Sequence, residues 1–211
     1  MYPADRHPVG AALILAHGAG TGQHSPWIVG FARALSGLGL DLITFNFLYA
    51  ETRRRAPDRR PLLDTCYRAV IDTVRQRLRR AELPLFIGGK SMGGRIATHV
   101  AADDPGLEVK GLVLLGYPLH PPGRPDQLRD AHLPAVGRPM LFVQGSRDAF
   151  GTPRELEPVL ARITPSPTLH VVDGGDHSFA VTRNAARQAA VLATVQQTIV
   201  DWIQRVCSIR L

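Results

Sequence analysis

A serine flanked by glycines is the residue of this sequence best suited to covalent chemistry. Residues 89–93 read G-K-S-M-G, and an apolar run at residues 85–87 precedes them. A G-x-S-x-G sequence after a strand is typical of a sharp strand-to-helix turn, in which the glycines avoid steric crowding. Such a turn exposes the Ser91 hydroxyl and leaves the N–H of Met92 at a helix N-terminus, where it stabilises a developing oxyanion. We therefore predict that Ser91 is a nucleophile and Met92 an oxyanion donor.

Two other interpretations of these residues exist. Residues 89–91 also resemble the end of a phosphate-binding loop, G-x-x-x-x-G-K-[ST]. That loop needs a glycine at position 84, where this sequence has Pro84, and residues 83–87 have the composition of an apolar strand. An ordinary strand-to-helix turn is the second interpretation, because glycine and serine are common residues. The nucleophile hypothesis therefore depends on partners elsewhere in the chain.

Residues with suitable chemistry follow the ends of four predicted strands. These positions hold residues 17–20, Ser91, Asp148 and His177. In a parallel sheet such strand ends meet at one edge, which brings a nucleophile, an acid and a base together in that order. His177 would remove the serine proton, and Asp148 would hold the imidazole tautomer and stabilise the imidazolium. Ala19, in a glycine-rich loop, would supply the second oxyanion donor.

Several neighbouring polar residues are given other roles. We interpret His17 as a structural histidine that braces its loop, and Asp173 as a residue that shapes a glycine turn. Asp173 and Asp176 are rival acids, but Asp176 adjoins the histidine in sequence and is poorly placed to face the same ring. Lys90 pairs with a carboxylate beneath the turn or faces the substrate. The remaining loop histidines are solvated or line the pocket: His24, His120 and His132.

The spacing of apolar residues predicts the elements that position these side chains. Short, continuously apolar runs are typical of strands buried on both faces of a parallel sheet. The predicted strands are 11–16, 40–46, 85–88, 111–115, 139–144 and 168–172. Helices are predicted over 26–38 and 153–163, each beginning near a proline. Further apolar stripes are Leu62, Cys66, Val70, Val74 and Leu78; Ile96, Ala97, Val100 and Ala101; and Leu192, Val195, Ile199, Ile203 and Val206.

This alternation predicts an α/β fold with a mostly parallel six-stranded sheet and helices on both faces. The length of 211 residues fits one domain over residues 1–211, and 45% hydrophobic with 20% charged residues is ordinary for a folded protein. Residues 116–139 are rich in proline and glycine, which predicts a long loop near the ligand rather than a cap domain.

Charge and composition exclude several classes of partner. The net charge of +7 comes from arginine, because Lys90 and Lys110 are the only lysines. The arginines cluster at Arg53, Arg54, Arg55, Arg59 and Arg60, and at Arg75, Arg77, Arg79 and Arg80. Without a nucleic-acid motif or an aromatic platform, we interpret the clusters as solvated surface and expect no nucleic-acid partner. Attraction of an anionic substrate is the alternative.

Cysteine usage and hydropathy predict the compartment. Cys66 and Cys207 are far apart, which is typical of buried or half-buried thiols in a reducing compartment. No histidine or cysteine cluster has metal-ligand spacing, so we expect no metal and no cofactor. The apolar run at residues 9–16 lacks a cleavage site and is too short to cross a membrane. We therefore expect a cytoplasmic protein without a membrane partner.

The motifs together resemble one family. They are H-G-A-G at 17–20, G-G-K-S-M-G-G-R at 88–95, L-G-Y-P-L-H at 115–120, Q-G-S-R-D at 144–148 and G-G-D-H-S-F at 174–179, with F-N-F at 45–47 and R-A-P-D-R at 55–59. These resemble the Tex30/KANSL3-like branch of α/β-hydrolases, which is related to dienelactone hydrolases. The resemblance implies a minimal α/β-hydrolase fold with an open, shallow pocket. It also implies a Ser91–Asp148–His177 triad with Ala19 and Met92 as oxyanion donors.

The resulting hypothesis is a serine hydrolase that cleaves a small carboxylic ester. A thioesterase or a dienelactone-like lactone hydrolase would use the same triad. A non-catalytic interaction module that keeps the hydrolase fold is the alternative from another functional class. The intact triad and glycine loops favour the enzyme.

Overall fold

A six-stranded parallel sheet forms the centre of the molecule. The structure is a computed structural model, and it describes residues 1–4, 8–77 and 83–208. The strands are β1 (Ala12–Ala16), β2 (Asp41–Phe45), β3 (Leu85–Lys90), β4 (Gly111–Leu115), β5 (Met140–Gly145) and β6 (Thr168–Val172). Their order is β2-β1-β3-β4-β5-β6, and every pairing is parallel. The helices are α1 (Pro26–Gly37), α2 (Leu48–Glu51), α3 (Arg60–Arg77), α4 (Met92–Ala102), α5 (Pro153–Leu160) and α6 (Ala185–Ser208), with a 3₁₀ turn at Leu133–Ala135.

Helices cover both faces of the sheet, as predicted. Side chains alternate along a strand, so Ile14 packs into one core and Leu13 into the other. The first core lies beneath α3, α4 and α5, where Tyr67 and Ile96 are fully buried. The second lies beneath α1 and α6. The predicted fold class is confirmed, and all of the strands in this sheet are parallel.

The two edge strands differ from the prediction of strands buried on both faces. Strand β2 is only partly buried, and in β6 the side chain of Thr168 is exposed and Val171 is 42% exposed. An edge strand has a neighbour on one side only, and the helices pack mainly over the centre of the sheet. An apolar run therefore predicted these strands correctly but not their burial.

Helix α3 buries a face that coincides only partly with the predicted stripe. Leu62 is 42% exposed, whereas Leu63, Tyr67, Ile71 and Val74 are buried. A strict four-residue spacing advances about 400° per step and drifts around the helix, while alternating steps of three and four stay on one face. The predicted stripe is therefore correct at Val74, while Cys66 and Val70 are half-buried at the border of the core. It is wrong at Leu62, and Leu78 lies outside the described residues.

Of the two cysteines predicted to be buried or half-buried, one is exposed at the surface. Cys66 is half-buried, but Cys207 is exposed near the end of α6. The arginines at 53–55 are exposed, which agrees with a solvated cluster, and Arg79 and Arg80 lie outside the described residues. None of the described helices is long and apolar enough to cross a membrane.

The strand order places a cleft at one edge of the sheet. The chain adds β2 on one side of β1 and then returns to add β3 on the other side. The loops that follow β1 and β3 therefore leave in opposite directions, which opens a crevice at their carboxyl ends. Ala16 pairs with Gly89 in adjacent strands, so the loop after β1 and the turn at Ser91 flank the same crevice.

Candidate active site

Ser91 occupies a strained turn between β3 and α4. Its φ and ψ are 51° and −116°, a conformation that few non-glycine residues adopt and that costs on the order of 1–3 kcal/mol. The turn brings α4 very close to β1. A Cβ at Gly93 would lie 2.7 Å from the carbonyl oxygens of Ala16 and His17, and one at Gly89 would lie 2.5 Å from that of Ala16. The glycines are therefore required for the approach that exposes Ser91.

Asp148 and His177 lie in direct contact across the ends of β5 and β6. The Nδ1 atom of His177 is 2.8 Å from Oδ2 of Asp148, which is fully buried. The carboxylate also accepts a hydrogen bond of 2.9 Å from the backbone N–H of Phe150. Because a carboxylate only accepts, Nδ1 of the imidazole carries the proton and Nε2 is left with a free lone pair. The ring of Phe150 lies against that of His177, with centroids 4.3 Å apart.

Ser91 and His177 line one cavity of about 760 Å³ at this edge of the sheet. Among the described residues no hydrogen bond joins the Ser91 hydroxyl to the histidine ring. Such bonds are often long in structures without substrate and shorten in the reactive complex. The volume lies within the range of small-molecule sites.

Ala19 and Met92 both line the cavity beside the serine. Met92 is the first residue of α4, so its N–H has no partner within the helix. Ala19 is an exposed residue of the loop after β1, at the other side of the crevice. Ala19 and Met92 therefore border the same cavity as Ser91.

Gln144 is a site residue that the sequence interpretation missed. Its buried amide donates to Asp148 Oδ2 at 2.8 Å and to the carbonyl of Gly151 at 2.7 Å, and its oxygen accepts from the Tyr117 N–H at 2.8 Å. The amide thereby ties Asp148 to the loops after β4 and β5. A polar residue within an apolar strand is the signal that would have identified it.

Lys90 contacts the histidine loop rather than the carboxylate of the first predicted alternative. Its ammonium donates to the carbonyl oxygen of His177, and it lies 5.9 Å from the Trp27 ring and 5.7 Å from the Phe179 ring. The side chain lines the cavity and forms no ion pair with a carboxylate in the described parts of the chain. Burial lowers the pKa of Lys90 to about 8, although the charges of Asp148 and Asp176 oppose the shift. Lys90 therefore anchors the backbone of the histidine loop.

His17 and the rival acids occupy structural positions. His17 is fully buried; its Nδ1 donates to the Gly18 carbonyl at 2.8 Å and its Nε2 accepts from the Phe47 N–H at 3.2 Å. Both ring nitrogens are thus used to brace the loop. Asp176 accepts hydrogen bonds from the N–H groups of its own turn, and Asp173 accepts from Ser146. Neither carboxylate contacts the ring of His177.

Comparison with known proteins agrees with this architecture. Residues 9–204 match the family model of the alpha/beta hydrolase domain. A dienelactone hydrolase from Anabaena variabilis superposes with a TM-score of 0.73 and 23% identity, over 96% of this chain and 88% of that one. A serine hydrolase without a lid from Xanthomonas campestris gives a TM-score of 0.72 and 24% identity, over 95% and 86%. The narrower Tex30/KANSL3-like placement stays a prediction.

One relative carries a different name. A Mycobacterium tuberculosis protein provisionally named a phosphoribosyl transferase is 30% identical over 199 residues, which are 92% of this chain. The match covers only 41% of that protein's length. The chain therefore spans about two fifths of this relative, and the remainder of the relative has no counterpart in the match.

Proposed function

The chain belongs to the alpha/beta hydrolase domain family, and from this premise we propose that it is a serine hydrolase that cleaves a small carboxylic ester. In the proposed reaction His177 Nε2 takes the Ser91 proton while Oγ attacks the acyl carbon. The N–H groups of Ala19 and Met92 stabilise the oxyanion, and the protonated histidine then donates its proton to the leaving alcohol. Water, activated by the same nitrogen, attacks the acyl-enzyme and releases the acid.

The contact between His177 and Asp148 carries this proposal. A buried carboxylate 2.8 Å from Nδ1 selects the tautomer whose Nε2 accepts a proton and stabilises the imidazolium that results. A surface histidine without such a partner would have no fixed ring orientation. The strained backbone of Ser91 at the border of the same cavity adds a second, independent argument.

Related acyl substrates are part of the same proposal. Thioesters and lactones react through the same attack on an acyl carbon, so the residues serve those reactions equally. The proposal also includes a small-molecule substrate and a cytoplasmic location for the protein. A module that retains the fold without turnover is the alternative, and it predicts an inert serine.

The test is covalent labelling combined with turnover. The protein is incubated with a fluorophosphonate probe and with p-nitrophenyl acetate and butyrate, and mass spectrometry locates the label. We expect labelling of Ser91, and we expect Ser91→Ala to lose both labelling and turnover. Because removal of a triad member typically costs about 10⁴-fold or more in kcat, any residual activity should be at background. Equal labelling of the wild type and the Ser91→Ala variant would refute the proposal.

Ser146→Ala is a matched control for the labelling experiment. Ser146 also follows a sheet strand, but its hydroxyl is engaged with Asp173 and with the N–H of Gly174, and it does not line the cavity. This variant is expected to label and to turn over like the wild type.

A further inference from the structure

Two arginines line the cavity without a carboxylate partner. Arg95 lies one turn into α4, where its N–H donates to the Ser91 carbonyl at 3.1 Å, and Arg129 lies on the long loop between β4 and β5. Neither guanidinium forms an ion pair in the described parts of the chain. The Nε atom of Arg95 is buried and has no hydrogen-bond partner among the described residues. Such an orphaned charged donor is costly unless a ligand satisfies it.

Two other charged residues of the cavity, Arg60 and Asp58, form ion pairs. Arg60 is held by Asp64 at 2.9 Å and by Asp103 at 2.5 Å. Asp58 is the acidic residue that lines the cavity, and it accepts from Arg54 at 2.6 Å. Lys90 also lines the cavity without an ion pair, but its ammonium already donates to the His177 carbonyl. Arg95 and Arg129 are therefore the cavity guanidinium groups that have no ion pair among the described residues.

The loop holds Arg129 in place. Its N–H donates to the carbonyl of Leu119 at 2.8 Å, and its own carbonyl accepts from the Tyr117 hydroxyl at 2.6 Å. The neighbouring Asp130 is engaged by Arg162 instead. Arg95 and Arg129 line the same cavity. Burial first, and then the positive charge of Arg129, lower the pKa of Arg95. An anion bound in the cavity at these guanidinium groups would offset both contributions.

We propose that Arg95 and Arg129 form a subsite for an anionic group, a carboxylate or a phosphate, on the ester that Ser91 cleaves. The guanidinium fork matches the geometry of both anions. This inference rests on the proposed hydrolase activity for its role in turnover, but the anion site itself does not depend on turnover. The proposed substrate is therefore an ester that carries a negatively charged group, which binds at Arg95 and Arg129 while Ser91 attacks the acyl carbon.

Turnover is tested with a pair of substrates that differ only in charge. Mono-p-nitrophenyl adipate carries a free carboxylate, and its methyl ester is neutral; spontaneous hydrolysis is subtracted for both. The measured quantity is the ratio of kcat/KM for the anionic ester to kcat/KM for the neutral one. We expect Arg95→Gln and Arg129→Gln each to lower this ratio about 10- to 100-fold, as loss of a charge-assisted hydrogen bond predicts.

The control is Arg124→Gln on the same loop. Arg124 is exposed and does not line the cavity, so the same change of charge should leave the ratio unchanged. Melting temperatures and fluorophosphonate labelling verify that each variant is folded. A ratio that is equal in the wild type and in all three variants would overturn the subsite as a determinant of specificity.

Binding is measured separately, with phenyl phosphate and benzoate titrated calorimetrically into the Ser91→Ala variant. The two probes share a ring and differ in the anion, so the tighter one identifies whether phosphate or carboxylate is preferred. We expect the added Arg95→Gln change to weaken that binding about 10-fold or more. If anions bind in this way but no ester is cleaved, the hydrolase proposal fails and the subsite stands. If neither probe binds, the subsite is refuted even when esters are cleaved.

Discussion

The side chain of Gln144 links the proposed acid to the fold at the scale of single residues. It is fully buried and contacts Asp148, Gly151 and Tyr117. Because the oxygen and nitrogen of the amide have opposite roles, its orientation is determined by the Tyr117 N–H on one side and by the Asp148 carboxylate on the other. The amide thus leaves the second carboxylate oxygen of Asp148 to the Phe150 N–H and fixes the plane that faces His177.

Replacing Gln144 by methionine should lower kcat more than it raises KM. Methionine fills a similar volume but leaves the Tyr117 N–H without its acceptor, which costs about 1–3 kcal/mol of stability. The Asp148 carboxylate loses one donor and its fixed orientation, so we expect kcat to fall about 10-fold or more. Steady-state kinetics with p-nitrophenyl butyrate and thermal melts provide the measurements.

Gln196→Met is the matched control for this change. Gln196 is also buried, but it lies on α6, away from the cavity. Its replacement should leave kcat and KM unchanged. Equal kinetic effects of the two substitutions, or an effect of Gln144→Met confined to the melting temperature, would contradict a positioning role.

At the scale of elements, the contact between β1 and α4 determines where Ser91 points. The carbonyl oxygens of Ala16 and His17 occupy the space that a Cβ at Gly93 would need. These are backbone atoms of a central strand and its loop, so they cannot move aside as a flexible side chain would. The tight turn therefore depends on a strand and a helix that are distant in sequence.

A Gly93→Ala variant should be destabilised despite the higher helix propensity of alanine. Its Cβ would lie 2.7 Å from two backbone oxygens, and overpacking of this kind typically costs about 1–3 kcal/mol. Gly30→Ala in α1 is the opposite case, because no atom lies within 4 Å of the added carbon. We expect that control to be stabilised by up to about 1 kcal/mol. Chemical denaturation measures both, and a stabilised Gly93→Ala variant would contradict the close approach.

For the whole molecule, a stacked pair of one buried and one half-buried histidine connects stability to pH. The rings of His99 and His132 are stacked, with centroids 3.5 Å apart. Burial, followed by the charge of the neighbouring histidine and of nearby arginines, lowers the pKa of His99 to about 3. Burial and the charges of Arg95 and Arg60 lower the pKa of His132 to about 4. Both rings are therefore neutral in the folded protein at pH values where the unfolded chain protonates them.

Stability should consequently fall as the pH decreases below the ordinary histidine pKa of 6.5. Between that value and about 4 the unfolded state binds more protons than the folded one, so acid favours unfolding. We expect His99→Gln to make this dependence shallower, by up to about 1.4 kcal/mol per pH unit. Urea denaturation between pH 4 and pH 7, chosen as roughly the titration window, gives the slopes. The exposed His24→Gln is the control, and an unchanged slope for His99→Gln would show that the pair does not drive the effect.

The sequence by itself determined the fold class, the strands and the turn at Ser91, because these follow from local patterns. Apolar runs, glycine positions and helix periodicity act over a few residues. The register of the α3 stripe and the burial of edge strands were misjudged, since both depend on which neighbours a segment receives. The fold and the positions of the candidate triad were thus largely predictable.

Only the tertiary structure decided which polar groups meet. Asp148, rather than Asp173 or Asp176, lies against His177, although all three carboxylates follow strand ends. The sequence order made the pairing plausible, but a distance between separate strands is a property of the folded sheet. The same holds for Arg95 and Arg129, which are 34 positions apart in the chain and border one cavity. Local patterns specify elements, whereas the pairing of charges depends on how those elements pack.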